Sequence, residues 1–172
     1  LVRIAYESGF DQEKYLDILR NRVLLDCKAL SSMRHIIKRN IEKGLLPNYQ
    51  DGAVELDKQF LTVGALGNFE VMDLFGLINE DELGYKSYSD AAVSFTNKTI
   101  NDVKDHFPCD FSFNLEMIPA ENCAGVICAA DNLLFEQNKY SIYSNQWEPL
   151  TAKCTIQEKC RLGSLFDKKC GG

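Results

Sequence analysis

The chain has 172 residues, of which 45% are hydrophobic and 26% charged, and its formal net charge is −6. That size and composition suit one soluble globular domain or a large piece of one. The acid excess excludes a general nucleic-acid surface and an anionic-membrane surface, since both need a basic face. It leaves room for a single bound nucleotide, which a few local N–H groups can hold.

No apolar run reaches the roughly 18 residues of a membrane span. The opening LVRIAYES has no initiator Met and no basic stretch before an apolar one, so no signal peptide is expected. The chain ends on Cys170-Gly171-Gly172. Both ends read as interior sequence, and the chain is expected to be a piece of a longer protein. Seven cysteines follow no disulfide framework and form no C-x-x-C pair. They point to a reducing, even anaerobic, interior, with most of them packed as small hydrophobes.

Taken in order, residues 1–6 read as a strand end. Residues 11–43 read as a long helix, because Tyr15, Leu16, Leu19, Val23, Cys27, Leu30, Ile37 and Ile41 recur at three or four residues. Asp11 suits the N-cap, Gly44 the stop, and Ser31-Ser32 a break between two helices. Residues 45–56 read as a loop with an Asp51-Gly52 turn. A short apolar strand over 60–67 runs into a glycine turn, and a helix over 68–77 ends at Gly76 and the acidic run 79–82. Ser87 or Ser89 caps the next helix, closed by Pro108. A strand over 110–118 then turns sharply at Pro119 into a helix reaching about Asp131. Residues 138–150 read as irregular with an extended piece at 140–143, and residues 155–166 as a last helix. Gly171-Gly172 is expected to lead into another strand.

Strands alternating with helices predict an α/β fold with parallel strands. The two strands would then end at one sheet edge, the edge that carries the site in such folds. Pro119 at a first helical position wastes no donor, small Ala120 and Ala124 let a ligand approach, and the free N–H groups suit phosphate. Asn122 and Cys123 lie in the same turn. Cys123 could face a pocket as a redox thiol, although packing explains it more simply. Glu121 either complements the helix dipole or acts as a proton donor or acceptor turned toward a sugar. Gly64, Gly67 and Asn68 on the other turn could approach the same ligand, yet G-x-x-G is a common pattern and neither a dinucleotide fingerprint nor a P-loop. His35 and His106 have no ligand-spaced partners, which favours surface or capping roles over metal binding, and no metal site is expected. Arg34, Lys38, Arg39 and Lys43 read as a solvated face.

The blocks FLTVGALGNFE, NLEMIPAEN and YSNQWEPL and the final GG, in this order, resemble the anaerobic (class III) ribonucleoside triphosphate reductases. The opening LVRIAYES is similar to the strand after their finger loop. The resemblance covers nearly the whole chain. It implies a glycyl radical enzyme with a ten-stranded α/β barrel, of which residues 1–172 would be a single catalytic-barrel fragment. It further implies reduction of ribonucleoside triphosphates to 2′-deoxyribonucleoside triphosphates and nucleotide effectors. An iron–sulfur, S-adenosylmethionine-dependent activating enzyme and formate or a thioredoxin-like reductant would be partners, in a cytoplasmic homodimer. Residues 119–123 would fall on the substrate phosphate turn, Gly64 to Glu70 on a neighbouring active-site turn, and Asn145 near the site with no derived role. The radical glycine, the thiyl cysteine and a C-terminal zinc site have no counterpart in this sequence, so the fragment alone should be inactive. Two other readings stay open: a non-catalytic nucleotide- or phosphate-binding module, and a glycyl radical lyase acting on a small organic substrate.

Overall fold

The computed structural model describes residues 1–149 and 152–170, with Glu121 as backbone only. The expected strand at 171–172 and the last residue of the irregular 138–150 segment lie outside the described residues. Helix α1 (Val2–Glu7) replaces the strand expected at the start. Val2, Ile4, Ala5 and Tyr6 are its buried positions, and the consecutive burial of Ile4, Ala5 and Tyr6 is not the alternation of a strand. Helix α2 (Gln12–Glu42) is continuous. Its cap is as expected, with the Asp11 side chain accepting from the Lys14 N–H at 2.8 Å. The expected break at Ser31-Ser32 does not occur, because Ser32 Oγ bonds back to the Lys28 carbonyl at 2.8 Å and stays compatible with the helix. Gly44 takes φ +73° just beyond the C-cap.

Arg34 also departs from expectation. It is buried, and its guanidinium donates to the Leu56 and Gln59 carbonyls. It thereby pins the segment that holds the short α3 (Pro47–Gln50) and a 3₁₀ turn at Leu56–Lys58, where a plain loop was expected. Lys38, Arg39 and Lys43 do remain solvated.

Strand β1 (Leu61–Ala65) leads through Gly67 into α4 (Asn68–Leu74). An antiparallel hairpin of β2 (Ile78–Glu80) and β3 (Lys86–Tyr88) follows, where sequence patterning indicated only an acidic stop. Ser89 caps α5 (Asp90–Asp105) by accepting from Ala92 N–H at 3.1 Å. Strand β4 (Phe113–Met117) lies parallel to β1, in register from Leu61↔Phe113 to Ala65↔Met117. Helix α6 (Glu121–Leu134) and α7 (Ile156–Cys170) complete the described chain, and the extended piece expected at 140–143 is irregular.

Val63 and Leu115 line, with Leu19 and Val23 of α2 and Ile100 and Val103 of α5, a 140 Å³ cavity between the sheet and these helices. Leu61, Val63, Phe113 and Leu115 share that helix-covered face by the period-two alternation of a strand. Tyr15, Phe75 and Phe95 stack edge-on, with centroids 5.5 and 5.4 Å apart along the series, and tie α2, α4 and α5 together. Such burial of aromatic and aliphatic groups is the main favourable term in folding.

Candidate functional site

The in-register pairing ends at Ala65↔Met117, so the turns after β1 and β4 emerge side by side, as parallel strands require. On the first turn, Gly67 adopts φ +79° and serves as the N-cap of α4. A side chain there would be strained, and its Cβ would meet Val2 Cγ2 at 2.7 Å. The Gly67 N–H donates to the Ser144 carbonyl at 2.7 Å. Gly64 has a different reason for its missing side chain: a Cβ would lie 2.7 Å from Ile118 Cγ2. Asn68 is 2% exposed, and its amide nitrogen donates to Tyr88 Oη at 3.2 Å and Thr96 Oγ1 at 3.3 Å. It braces β3 and α5 from within.

On the second turn, α6 begins at Glu121 with Ala120 as N-cap and no capping side chain. Pro119 therefore stands one residue before the cap, not at the first helical position expected for it. The Ala124 N–H closes the first helical bond to the Ala120 carbonyl at 2.7 Å, and the Ala124 side chain is buried. Pro119, Asn122 and Cys123 are exposed and Ala120 is half-buried. The Cys123 thiol is thus not packed as expected. An uncapped first turn keeps the positive end of the helix dipole available to an anion. The side chain of Glu121 lies outside the described residues.

Between this turn, the 144–149 segment and α7 lies a cavity of 360 Å³, lined among others by Met117, Pro119, Asn145, Glu148, Lys159 and Asp167. That volume is within the range of small-molecule sites, about 300–1,000 Å³. Trp147 Nε1 donates to Asp167 Oδ1 at 2.7 Å, and the indole packs on Phe166 with centroids 4.7 Å apart. Glu148 is buried, and the Cys154 thiol beside it is the one weak donor it faces among the described residues, with no N–H or O–H donor in hydrogen-bond geometry on either carboxylate oxygen. Burial pushes its pKa above the usual carboxylate range. Burial, with the Glu148 charge beside it, pushes the Cys154 thiol up to about 11.

The 144–149 segment is held from the first turn. Glu70, 3% exposed, accepts from the Ser144 N–H at 2.9 Å and from Ser144 Oγ at 2.6 Å. Burial raises its pKa, and the bonds from Ser144 oppose the rise. A second buried carboxylate, Asp131 of α6, binds Arg3 at 2.6 Å and Tyr143 Oη at 2.9 Å. The two turns, the α6 body and residues 143–148 therefore form one connected unit.

The remaining polar candidates are structural. His106 is the C-cap of α5, its Nδ1 2.7 Å from the Asp102 carbonyl, and His35 meets Phe111 edge-on at 5.4 Å. Cys27, Cys128 and Cys170 are buried, Cys154 is partly so, and Cys109, Cys123 and Cys160 are exposed. The packing expected for most of the thiols thus holds for fewer than half. Among the described residues no group of three or more His, Cys, Asp or Glu is placed to hold a metal ion.

The family model for anaerobic ribonucleoside-triphosphate reductase matches residues 1–172. The chain belongs to that reductase family. Three solved structures of the Thermotoga maritima anaerobic ribonucleotide reductase resemble it over 98% of its length. One, with citrate in the active site, is 38% identical with a TM-score of 0.90, and 32% of that chain is covered. A second, with dATP bound in the specificity site, is 39% identical with a TM-score of 0.91 and 30% of that chain covered. A third, in complex with dATP and CTP, is 38% identical with a TM-score of 0.90 and 29% of that chain covered. None of the curated proteins compared matches. The chain spans less than a third of the length of these solved reductases. Its parallel strands and flanking helices are a part of the reductase α/β barrel. No helix among the described residues is long and apolar enough to cross a membrane.

Sequence reasoning placed Glu70 on an active-site turn without a role, and missed Ser144, Trp147, Glu148 and the α7 wall of the cavity. Glu70, Ser144, Trp147 and Glu148 lie inside the blocks that carry the family resemblance. A signal for Glu70 was its place three residues into a helix that opens on a glycine, where a carboxylate is stabilised whatever else it binds.

Proposed function

We propose that the complete protein reduces ribonucleoside triphosphates to 2′-deoxyribonucleoside triphosphates, and that residues 1–172 form one fragment of its catalytic barrel. In this reading the uncapped start of α6 receives the substrate phosphates. The observation that carries it is the register of β1 and β4, which brings the Gly67 and Pro119 turns to one edge, with Met117 and Pro119 on the wall of a 360 Å³ cavity. Ala120, Asn122 and Cys123 offer the phosphates first-turn backbone, and Ala124, whose own N–H is spent on the Ala120 carbonyl, supports the turn with a small buried side chain. Pro119 and Asn145 stand at the cavity wall toward the sugar. Gly64, Gly67 and Asn68 serve the site by shaping and bracing its neighbouring turn, where Ile118, Ser144, Tyr88 and Thr96 occupy them.

The family implies a glycyl radical, carried outside this segment, which supplies the one-electron chemistry at the ribose. Its generation requires an iron–sulfur, S-adenosylmethionine-dependent activating enzyme, and turnover requires formate or a thioredoxin-like reductant. The zinc site of the family likewise belongs elsewhere in the longer protein. A cytoplasmic homodimer regulated by nucleotide effectors is the expected working form. Within this chain Glu121 is the proposed proton donor or acceptor toward the sugar.

Glu121→Gln in the activated full-length enzyme tests that role. Turnover should fall at least tenfold while the nucleotide dissociation constant changes less than about threefold, since general acid–base groups contribute roughly 10²–10⁴-fold. Equal losses in both would reduce Glu121 to a cap of the helix dipole.

A further inference from the structure

Ser144 is gripped at three atoms by the β1–α4 turn. Its carbonyl accepts from Gly67 N–H at 2.7 Å, its N–H donates to Glu70 Oε1 at 2.9 Å, and its hydroxyl donates to Glu70 Oε2 at 2.6 Å. Every hydrogen-bonding group of one loop residue is thereby committed to a turn 74 residues earlier in the chain. Glu70 and Ser144 are 3% and 4% exposed. A buried carboxylate of this kind is costly to keep in a core unless its acceptors are used. Two bonds from a single residue use both oxygens and also fix the direction of the backbone that leaves that residue. The next residues, Asn145 and Gln146, line the cavity beside Met117 and Pro119.

We infer that Glu70 is a positioning residue: with Gly67 it sets the 144–146 backbone so that Asn145 faces the substrate cavity at the end of β4. This rests on the reading of that cavity as the substrate site. Glu70 has no part in proton transfer here. The backbone on the far side of Ser144 is held independently, through Tyr143 Oη on Asp131 at 2.9 Å and the Asn138 amide on Tyr143 Oη at 3.0 Å. Loss of the Glu70 clasp should therefore loosen residues 144–148 and leave the α6 side in place.

The chemistry of the clasp gives a sharp test. Gln at position 70 keeps an acceptor for the Ser144 N–H, and its amide can donate to Ser144 Oγ, because a hydroxyl both donates and accepts. Ala keeps neither bond. In the activated full-length enzyme, Glu70→Ala should raise KM for the ribonucleoside triphosphate at least tenfold, with a smaller change in kcat. Glu70→Gln should restore KM to within about threefold of the parent. Hydrogen exchange in the same proteins should quicken at 144–148 for Glu70→Ala, not for Glu70→Gln, with 128–134 unchanged in both.

Glu70→Gln as damaging as Glu70→Ala would overturn the inference, since the ionised carboxylate itself would then be needed. Unchanged exchange at 144–148 in Glu70→Ala would overturn it as well. The underlying reading fails in another way: Asn145→Ala with full turnover and unchanged KM removes the cavity from the substrate path, whatever the exchange at 144–148 reports.

Discussion

A methyl group on Gly64 would sit 2.7 Å from Ile118 Cγ2 and 2.8 Å from its Cδ1, so this glycine is set by a side chain crossing from the neighbouring strand end. Gly64→Ala should lower the stability of the full-length protein by about 1–3 kcal/mol, the usual cost of overpacking. Ile118→Ala in the same protein should recover most of that loss, and thermal unfolding of the double-mutant cycle measures it. If the two losses simply add, the contact is not the cause. Glu148 carries a pH dependence. Its folded pKa lies above the ordinary carboxylate value, so the folded state holds the proton more tightly. The stability this supplies is full below the unfolded pKa and fades as pH rises from the unfolded to the raised folded value. Above that, the parent retains a buried ionised carboxylate with only the weakly donating Cys154 thiol beside it. Glu148→Gln should therefore melt higher than the parent at pH 8, with the advantage shrinking toward pH 4. An equal melting difference at both pH values would contradict the assignment.

At the scale of elements, α2 was legible because its stripe and its Asp11 cap are both local signals. The two main strands and their following helices were legible for the same reason. The α1 helix was not, since six residues offer less than two turns and loose alternation fits either state. The β2–β3 hairpin was hidden in the acidic run, where Asp81 accepts from Leu83 N–H at 2.9 Å and Tyr85 N–H at 2.8 Å and so makes the turn. Arg34 sits in a basic cluster whose other members are solvated, and only the later segment it anchors distinguishes it. Of the candidate site, the Pro119 turn and its partner glycine turn were readable as strand-to-helix junctions. The clasp on Ser144 and the α7 wall join residues distant in sequence, and no local pattern announces them.

For the whole molecule, parallel pairing of β1 with β4 is the organising fact. It turns two separate junctions into one edge, and Asp131, Glu70 and Gly67 tie residues 143–144 to that edge. We propose that family membership gives the edge its chemistry and that the α6 start, which carries no side-chain cap, is its anion-binding end. The phosphates of a ribonucleoside triphosphate are proposed to rest on residues 119–124. Hydrogen exchange of the full-length protein, with and without a saturating ribonucleoside triphosphate, tests this most directly. Slower exchange is expected at the amides of Asn122 and Cys123, with a weaker effect from the matching nucleoside without phosphates. Exchange at those amides that is unchanged by the triphosphate would contradict it.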